Sequence, residues 1–350
     1  MRARPATLWI AIAILIGLPV GLFAGEAQNA FNEGVKLHRA GKFKEAITAY
    51  AKAIKAAPNA AEAYLGRGSA HAKLGQTDRA IKDFDAAVRL NPDLVDGYYN
   101  RGNAHNDAKQ YQLAIKDYDE TLRRNPKLAE AYNNRGLAYY NLGQNDKAIQ
   151  NYDEALKLNR QLADALYNRA NAYFVQRQYD RAIKDYDGLI KQNPKSAKLV
   201  KQRGLAFSAA AQFERAIQDF NQAQKLNPKD PEVYYNRGLA YRRLGKHEEA
   251  VQDYSEAIKL DPKNAESYNN RANAYSLLGK YDQALKDYDE AVKLDPKNAR
   301  IYANRGATRM RQGKNEDGQR DLKKALELDP GLKEKLDPLI DPQGGSPTKR

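Results

Sequence analysis

The sequence predicts an all-α solenoid, in which antiparallel helix pairs follow one another at a fixed interval. Three observations predict it. Prolines recur every 34 residues, at Pro58, Pro92, Pro126, Pro194, Pro228, Pro262, Pro296 and Pro330, with Arg160 filling the one gap. Eight of the 14 prolines therefore share one lattice, and self-similarity at a fixed period decides architecture before any local reading. Small residues recur in phase with it. The eighth position of each unit holds Gly34, Gly68, Gly102, Gly136, Ala170, Gly204, Gly238, Ala272 and Gly306. The third observation is spacing inside one unit: Tyr268, Arg271, Ala272 and Tyr275 fall at i, i+3, i+4 and i+7, one face of a helix.

The chain opens with Arg2 and Arg4, and positions 5–25 carry no charge. The strongly apolar part, 8–23, is broken at its far end by Gly17, Pro19 and Gly21. A basic start, an apolar run and small residues around Gly25 describe a secretory signal peptide over 1–27. The competing reading is an uncleaved anchor at 8–24, because 21 uncharged residues lie within the length of a membrane span. Either way the repeats are expected on the exported side, periplasmic or extracellular, with any membrane contact limited to this segment.

Numbering from residue 27 gives nine units: 27–60, 61–94, 95–128, 129–162, 163–196, 197–230, 231–264, 265–298 and 299–332. In 265–298 the first helix is expected to be capped by Asn264 and stopped by Gly279. Tyr281, Ala284, Leu285, Tyr288, Ala291 and Val292 repeat the pattern in a second helix, which Asp295 and Pro296 end. Slot 20 is alanine from Ala46 to Ala284, and slot 24 holds the large partner: Tyr50, Phe84, Tyr118, Tyr152, Tyr186, Phe220, Tyr254 and Tyr288. Glycine inside a helix costs about 1 kcal/mol against alanine, so its repeated use at slot 8 calls for close packing. A short closing helix is expected at 333–340, interrupted by Pro338, and a disordered tail at 341–350.

These residues closely resemble the tetratricopeptide repeat family: 34-residue units with small residues at slots 8, 20 and 27, aromatics at 4, 11 and 24, and proline at 32. The resemblance covers 27–332 and implies a right-handed superhelix whose first helices line a concave groove. There are departures. The first unit has Ala30 and Glu33 at slots 4 and 7, Arg160 replaces a proline, and Arg177 and Ala211 replace turn glycines. Val200 takes a slot 4 position, and Arg309 and Leu322 stand where aromatics belong.

Slot 7 carries Arg67, Arg101, Arg135, Arg169, Arg203, Arg237, Arg271 and Arg305 on the buried stripe, and a buried guanidinium needs a partner. Slot 23 offers one on the facing helix: Asp83, Asp117, Asn151, Asp185, Asp219, Asp253, Asp287 and Asp321. An Arg–Asp rail inside each hairpin is expected.

The net charge of +14 raises nucleic-acid binding as an alternative function. Much of the excess, however, recurs at one helix position, from Lys55 to Lys293, and several of these residues follow an aspartate by four: Asp85, Asp119, Asp153, Asp187 and Asp289. That pattern reads as i,i+4 pairing on a solvated face. With no cysteine there is no disulfide or thiolate chemistry. His71 and His105 occupy an aromatic packing slot, His38 and His247 are isolated, and no phosphate loop, nucleophile elbow or metal-ligand cluster appears. No enzyme, metal or cofactor is expected.

The other face of the first helices, slots 2, 5, 6, 9, 12 and 13, is the expected binding surface. It carries Tyr99, Asn100, Asn103, Asn134, Tyr140, Tyr167, Asn168, Asn171, Tyr235, Asn236, Asn270, Asn273 and Asn304. An amide offers donor and acceptor, so a row of them can pair with a peptide backbone whatever its side chains. The row is similar to the asparagine ladder of the O-linked N-acetylglucosamine transferase superhelix. Charge along this face is split. Glu62, Asp96, Asp107, Glu130 and Asp164 oppose Lys73, whereas Lys198, Lys201, Arg242, Arg243, Arg300 and Arg311 oppose Glu232 and Glu266. The expectation is a scaffold that binds an extended protein segment, as an exported assembly or adaptor factor. A passive structural spacer is the remaining alternative.

Overall fold

The computed structural model describes residues 25–340. They form two units, divided after Gln178. In the first, the helices are α1 (Glu26–Arg39), α2 (Phe43–Ala56), α3 (Ala61–Lys73), α4 (Thr77–Leu90), α5 (Val95–Asp107), α6 (Tyr111–Arg124), α7 (Ala129–Asn141), α8 (Asn145–Leu158) and α9 (Ala163–Val175). In the second they are α10 (Tyr179–Gln192), α11 (Ala197–Ala209), α12 (Phe213–Leu226), α13 (Pro231–Arg243), α14 (His247–Leu260), α15 (Ala265–Leu277), α16 (Tyr281–Leu294), α17 (Ala299–Arg311), α18 (Asn315–Leu328) and α19 (Lys333–Ile340), the last preceded by a 3-10 turn at Pro330–Leu332. No strand occurs among the described residues. The predicted signal or anchor segment, up to residue 24, and the 341–350 tail lie outside the described residues.

Each hairpin closes on the small residue of slot 8. At Gly136 a Cβ would sit 2.7 Å from the Tyr152 ring, so the ring of the second helix lies directly on the backbone of the first. The tight turn between helices takes a left-handed residue, for example Gly143 at φ 74°, after which Gln144 N–H bonds Tyr139 C=O at 3.0 Å. Lys109, Arg177 and Ala211 adopt the same conformation without being glycine, at φ 61°, 61° and 58°. The second turn is closed by a side chain. Asn91, Asn125, Asn159, Asn227 and Asp261 each accept a hydrogen bond from the backbone N–H two residues on, at 3.1 to 3.3 Å. Gln161 N–H makes this bond to Asn159 Oδ1 beside Arg160, which explains why the turn survives the missing proline.

The arginine rail is present, and it has a second limb. Arg101 binds Asp117 of its own hairpin through Nε and Nη2 at 2.9 and 2.6 Å, and reaches back through Nη1 to Asp85 of the preceding repeat at 2.8 Å. Arg203 does the same with Asp219 and Asp187, and Arg305 with Asp321 and Asp289. Arg237 and Arg271 reach back to Asn221 and Ser255. Arg67 has Asp83 alone, because Ala51 stands where the backward partner would be. Burial works against the Arg237 charge, and its bonds to Asp253 overcome that, so its pKa is raised. The guanidinium also lies 5.3 to 5.7 Å over the slot 4 tyrosine in Tyr64, Tyr98, Tyr132, Tyr234, Tyr268 and Tyr302.

This corrects the expected i,i+4 pairing. Asp85, Asp119, Asp153, Asp187 and Asp289 face the arginine of the next repeat. The exposed cations pair three residues back instead, as Arg123 with Glu120, Lys157 with Glu154 and Lys293 with Glu290. A desolvated guanidinium is the stronger competitor for a carboxylate. A second correction concerns α19, which runs through position 338 without the expected break. An eight-residue helix loses about one backbone bond to a proline in its last turn and keeps the rest.

Candidate functional site

Within each unit, successive first helices touch one another: α1, α3, α5, α7 and α9 in one, and α11, α13, α15 and α17 in the other. The faces they share carry the asparagines. The slot 6 amide reaches 35 residues back to slot 5 of the preceding first helix. Asn134 Nδ2 donates to the Tyr99 hydroxyl at 3.0 Å, Asn168 to Asn133 Oδ1 at 3.0 Å, Asn270 to the Tyr235 hydroxyl at 3.1 Å and Asn304 to Asn269 Oδ1 at 3.0 Å. The amide row is thus a zipper between neighbouring repeats. Slot 9 has a different task. Asn103 and Asn273 each accept 2.7 Å bonds from the slot 24 hydroxyls of Tyr118 and Tyr288. Where slot 9 is Val35 or Leu137, the corresponding hydroxyls of Tyr50 and Tyr152 are buried without a partner among the described residues, and where it is Leu239 the Tyr254 hydroxyl meets Arg242.

The predicted residues therefore sort by unit. In the first, Tyr99 and Asn103 are 0% exposed, so they build the wall and do not offer a surface. Tyr99 packs its ring against Tyr118, with centroids 6.1 Å apart. Asn134 is buried and consumed: Nδ2 also bonds Asn103, and Oδ1 accepts from Asn133. Asn100 is buried with Oδ1 unpartnered, and its counterpart 35 residues back, Leu65, offers no acceptor for Nδ2. Asn168 is buried, whereas Tyr140, Tyr167 and Asn171 are half-buried. No cation among the described residues pairs with Asp96 or Glu130, and burial pushes the Asp96 carboxyl above the usual range.

In the second unit the same face is more open. Tyr235, Asn236, Asn273 and Asn304 are half-buried, and Asn270 is buried. Two amides have a fixed orientation, because a backbone carbonyl can only accept: Asn236 donates to Glu232 C=O at 2.7 Å and Asn270 to Glu266 C=O at 2.9 Å. Asn270 Nδ2 has both protons engaged, which turns its Oδ1 outward. Lys201 is bridged to Asp230 and Glu232, at 2.7 and 2.6 Å. A cleft of about 590 Å³ lies over α13, α15, α17 and α19. Asn270, Asn273 and Asn304 line it together with Arg242, Glu266, Asn269, Ser276, Leu277, Arg300, Ala303, Ala307, Thr308, Arg311, Leu332, Lys335 and Leu336.

Sequence reasoning did not find the contributions of Ser276, Thr308 or the closing helix to this cleft. Ser276 and Thr308 hydrogen-bond each other at 3.0 Å from adjacent first helices, a pairing that no single unit displays. His71 and His105 bond Gln76 and Gln110 at 2.6 Å and sit 3.9 and 3.8 Å from the rail aspartates Asp83 and Asp117. Among the described residues no group of three or more His, Cys, Asp and Glu side chains could hold a metal ion, and no helix is long and apolar enough to cross a membrane.

Residues 104–336 match the sequence profile of the cilia and flagella-associated protein 70 C-terminal domain. Residues 31–95 and 66–129 match the tetratricopeptide repeat profile. No curated protein sequence matches significantly. Among solved structures, a tetratricopeptide repeat protein from Parabacteroides merdae is similar at a TM-score of 0.52 and 22% identity, over 71% of this chain and 98% of that one. The Cut9–Hcn1 hetero-tetramer of the APC/C aligns at 0.50 and 14% identity, over 90% of this chain and 75% of its own. YrrB, described as a TPR protein with an unusual peptide-binding site, aligns at 0.45 and 22% identity, over 52% of this chain and 94% of its own. With the period, the hairpins and two profiles in agreement, the chain belongs to the tetratricopeptide repeat family, whose fold is a scaffold for protein–protein interaction.

Proposed function

We propose that the chain holds an extended polypeptide segment against its first-helix face and serves as an adaptor in an assembly on the exported side of a membrane. One observation carries this reading. The groove amides Asn236 and Asn270 have their NH2 groups pinned to their own helix, so each keeps a carbonyl oxygen for an incoming donor. An extended peptide supplies N–H donors at regular spacing irrespective of its side chains. Acceptors already fixed in place lose little entropy on binding. The exported location rests on the basic and apolar pattern of 1–27.

Binding is tested on an array of random-sequence extended peptides. Replacing Asn236 and Asn270 together by leucine is expected to lower capture about tenfold, the equivalent of one hydrogen bond's worth of discrimination. Equal capture by the variant and the parent, or no capture by either, would sink the reading. N-terminal sequencing of the mature protein from fractionated cells tests the location, and recovery only from the cytosol would exclude it.

A further inference from the structure

The second unit separates its cations into two populations. Arg203, Arg237, Arg271 and Arg305 are each bonded to an aspartate of the rail. Arg242, Arg300, Arg311 and Lys335 have no acidic partner among the described residues, and all four line the one 590 Å³ cleft. Among the described residues the only carboxylate lining it is Glu266, which accepts from Asn298 Nδ2 at 3.4 Å. The Arg242 guanidinium is partly desolvated against the Tyr254 hydroxyl and has no carboxylate among the described residues to neutralise it. Leaving such a charge unneutralised is costly in the free protein and favours a ligand that neutralises it.

We infer that this cleft takes the carboxylate side chains of an acidic stretch in the bound polypeptide. The inference rests on the groove reading above and adds the chemistry of the partner. Two features favour a polypeptide over a nucleic acid. The outward carbonyl of Asn270 needs an N–H donor, which a phosphate backbone does not offer. Among the described residues no aromatic side chain lines the cleft, so they offer no platform for stacking bases. Clustered cations in a concave, partly apolar site strengthen attraction to a carboxylate relative to an exposed surface.

The full chain is titrated by fluorescence anisotropy with three labelled peptides of alternating sequence, Glu-Thr, Gln-Thr and Lys-Thr, and with single-stranded poly(U). Glu-Thr is expected to bind about tenfold or more tighter than Gln-Thr, with the advantage shrinking as salt rises. The double variant Arg300→Gln, Arg311→Gln should erase that ratio, whereas Lys225→Gln, on the exposed side of α12, should preserve it, and melting curves check that both variants fold. Equal affinity for Glu-Thr and Gln-Thr would overturn the acidic-partner inference and leave the groove reading intact. Binding of no peptide would overturn both, and preference for poly(U) would replace them with an RNA-binding function.

Discussion

The two units use the same repeat position for opposite purposes. Ahead of the first helices in the first unit, slot 34 holds Ala60, Leu94, Leu128 and Leu162, none of which caps its helix through a side chain. In the second unit Ser196, Asp230, Asn264 and Asn298 each accept a bond from the first turn, at 3.4, 3.0, 2.9 and 3.2 Å. Leu94 and Leu128 instead pack against the clusters around Phe84 and Tyr118. A cap satisfies orphan N–H groups and is worth about 1 kcal/mol, an amount that partial burial of one leucine also supplies. The period tolerates either solution. The first-helix face differs in the same sense: Asn103, Asn134 and Asn168 are sealed into the wall in the first unit, whereas Asn236, Asn273 and Asn304 are half-open in the second, where Arg242, Arg300 and Arg311 have no acidic partner among the described residues.

Breaking the rail gives the largest expected effect, and it should differ by unit. Asp253→Ala leaves the buried Arg237 without its bidentate partner and should cost about 3 kcal/mol. Asp83→Ala should cost less, because Arg67 is the more exposed arginine and joins only one hairpin. Local unfolding free energies from native-state hydrogen exchange would resolve the two, since a repeat array opens in parts. Equal losses would show that the backward limb adds nothing.

Acid should strike the first unit first. Burial, with help from the Lys73 charge, lowers the His38 pKa from 6.5 to about 4. Between those values the unfolded chain binds a proton that the folded chain does not. Stability from this group is therefore complete above about 6.5 and falls as pH drops towards 4, by roughly 1–2 kcal/mol after solvent screening. Denaturation of the first hairpin followed from pH 7 to 4 should show that slope, and His38→Phe should flatten it.

Hydroxyl pairing sharpens the comparison between neighbouring repeats. Tyr118→Phe removes a buried bond to Asn103 and should cost about 1 kcal/mol. Tyr152→Phe removes a buried hydroxyl with no partner and should be neutral or slightly stabilising. The cap substitution Asn264→Ala should also cost about 1 kcal/mol. One substitution should give a clear gain. Lys109→Gly relieves a left-handed backbone and should raise stability by about 0.5–1 kcal/mol in chemical denaturation.

The architecture was legible because nine in-phase copies average away the noise of any one. Within a hairpin, slots 7 and 23 announced the rail directly. The backward limb was hidden because its acid, such as Asp85, also fits an i,i+4 pair with Arg89. Its one clue was the joint absence of an acid at Ala51 and of a second partner for Arg67. The predicted amides lie on the faces that successive first helices share, yet which of them remain accessible depends on the residue 35 positions earlier. Tyr99 and Asn133 each accept from an amide, whereas Leu65 offers Asn100 no acceptor. The left-handed Lys109 was marked only by its register, between Gly75 and Gly143 in the neighbouring units, since nothing in lysine itself marks that conformation.

The chain has no cysteine, so a single introduced thiol reports one place on the molecule. Ala303→Cys puts it in the cleft, and Lys225→Cys puts it on the exposed side of α12. Maleimide labelling of both variants, with and without the Glu-Thr peptide, tests directly whether a polypeptide occupies the first-helix face. Protection at position 303 with unchanged labelling at 225 is the predicted result; unprotected 303, or protection at 225 alone, would contradict the account.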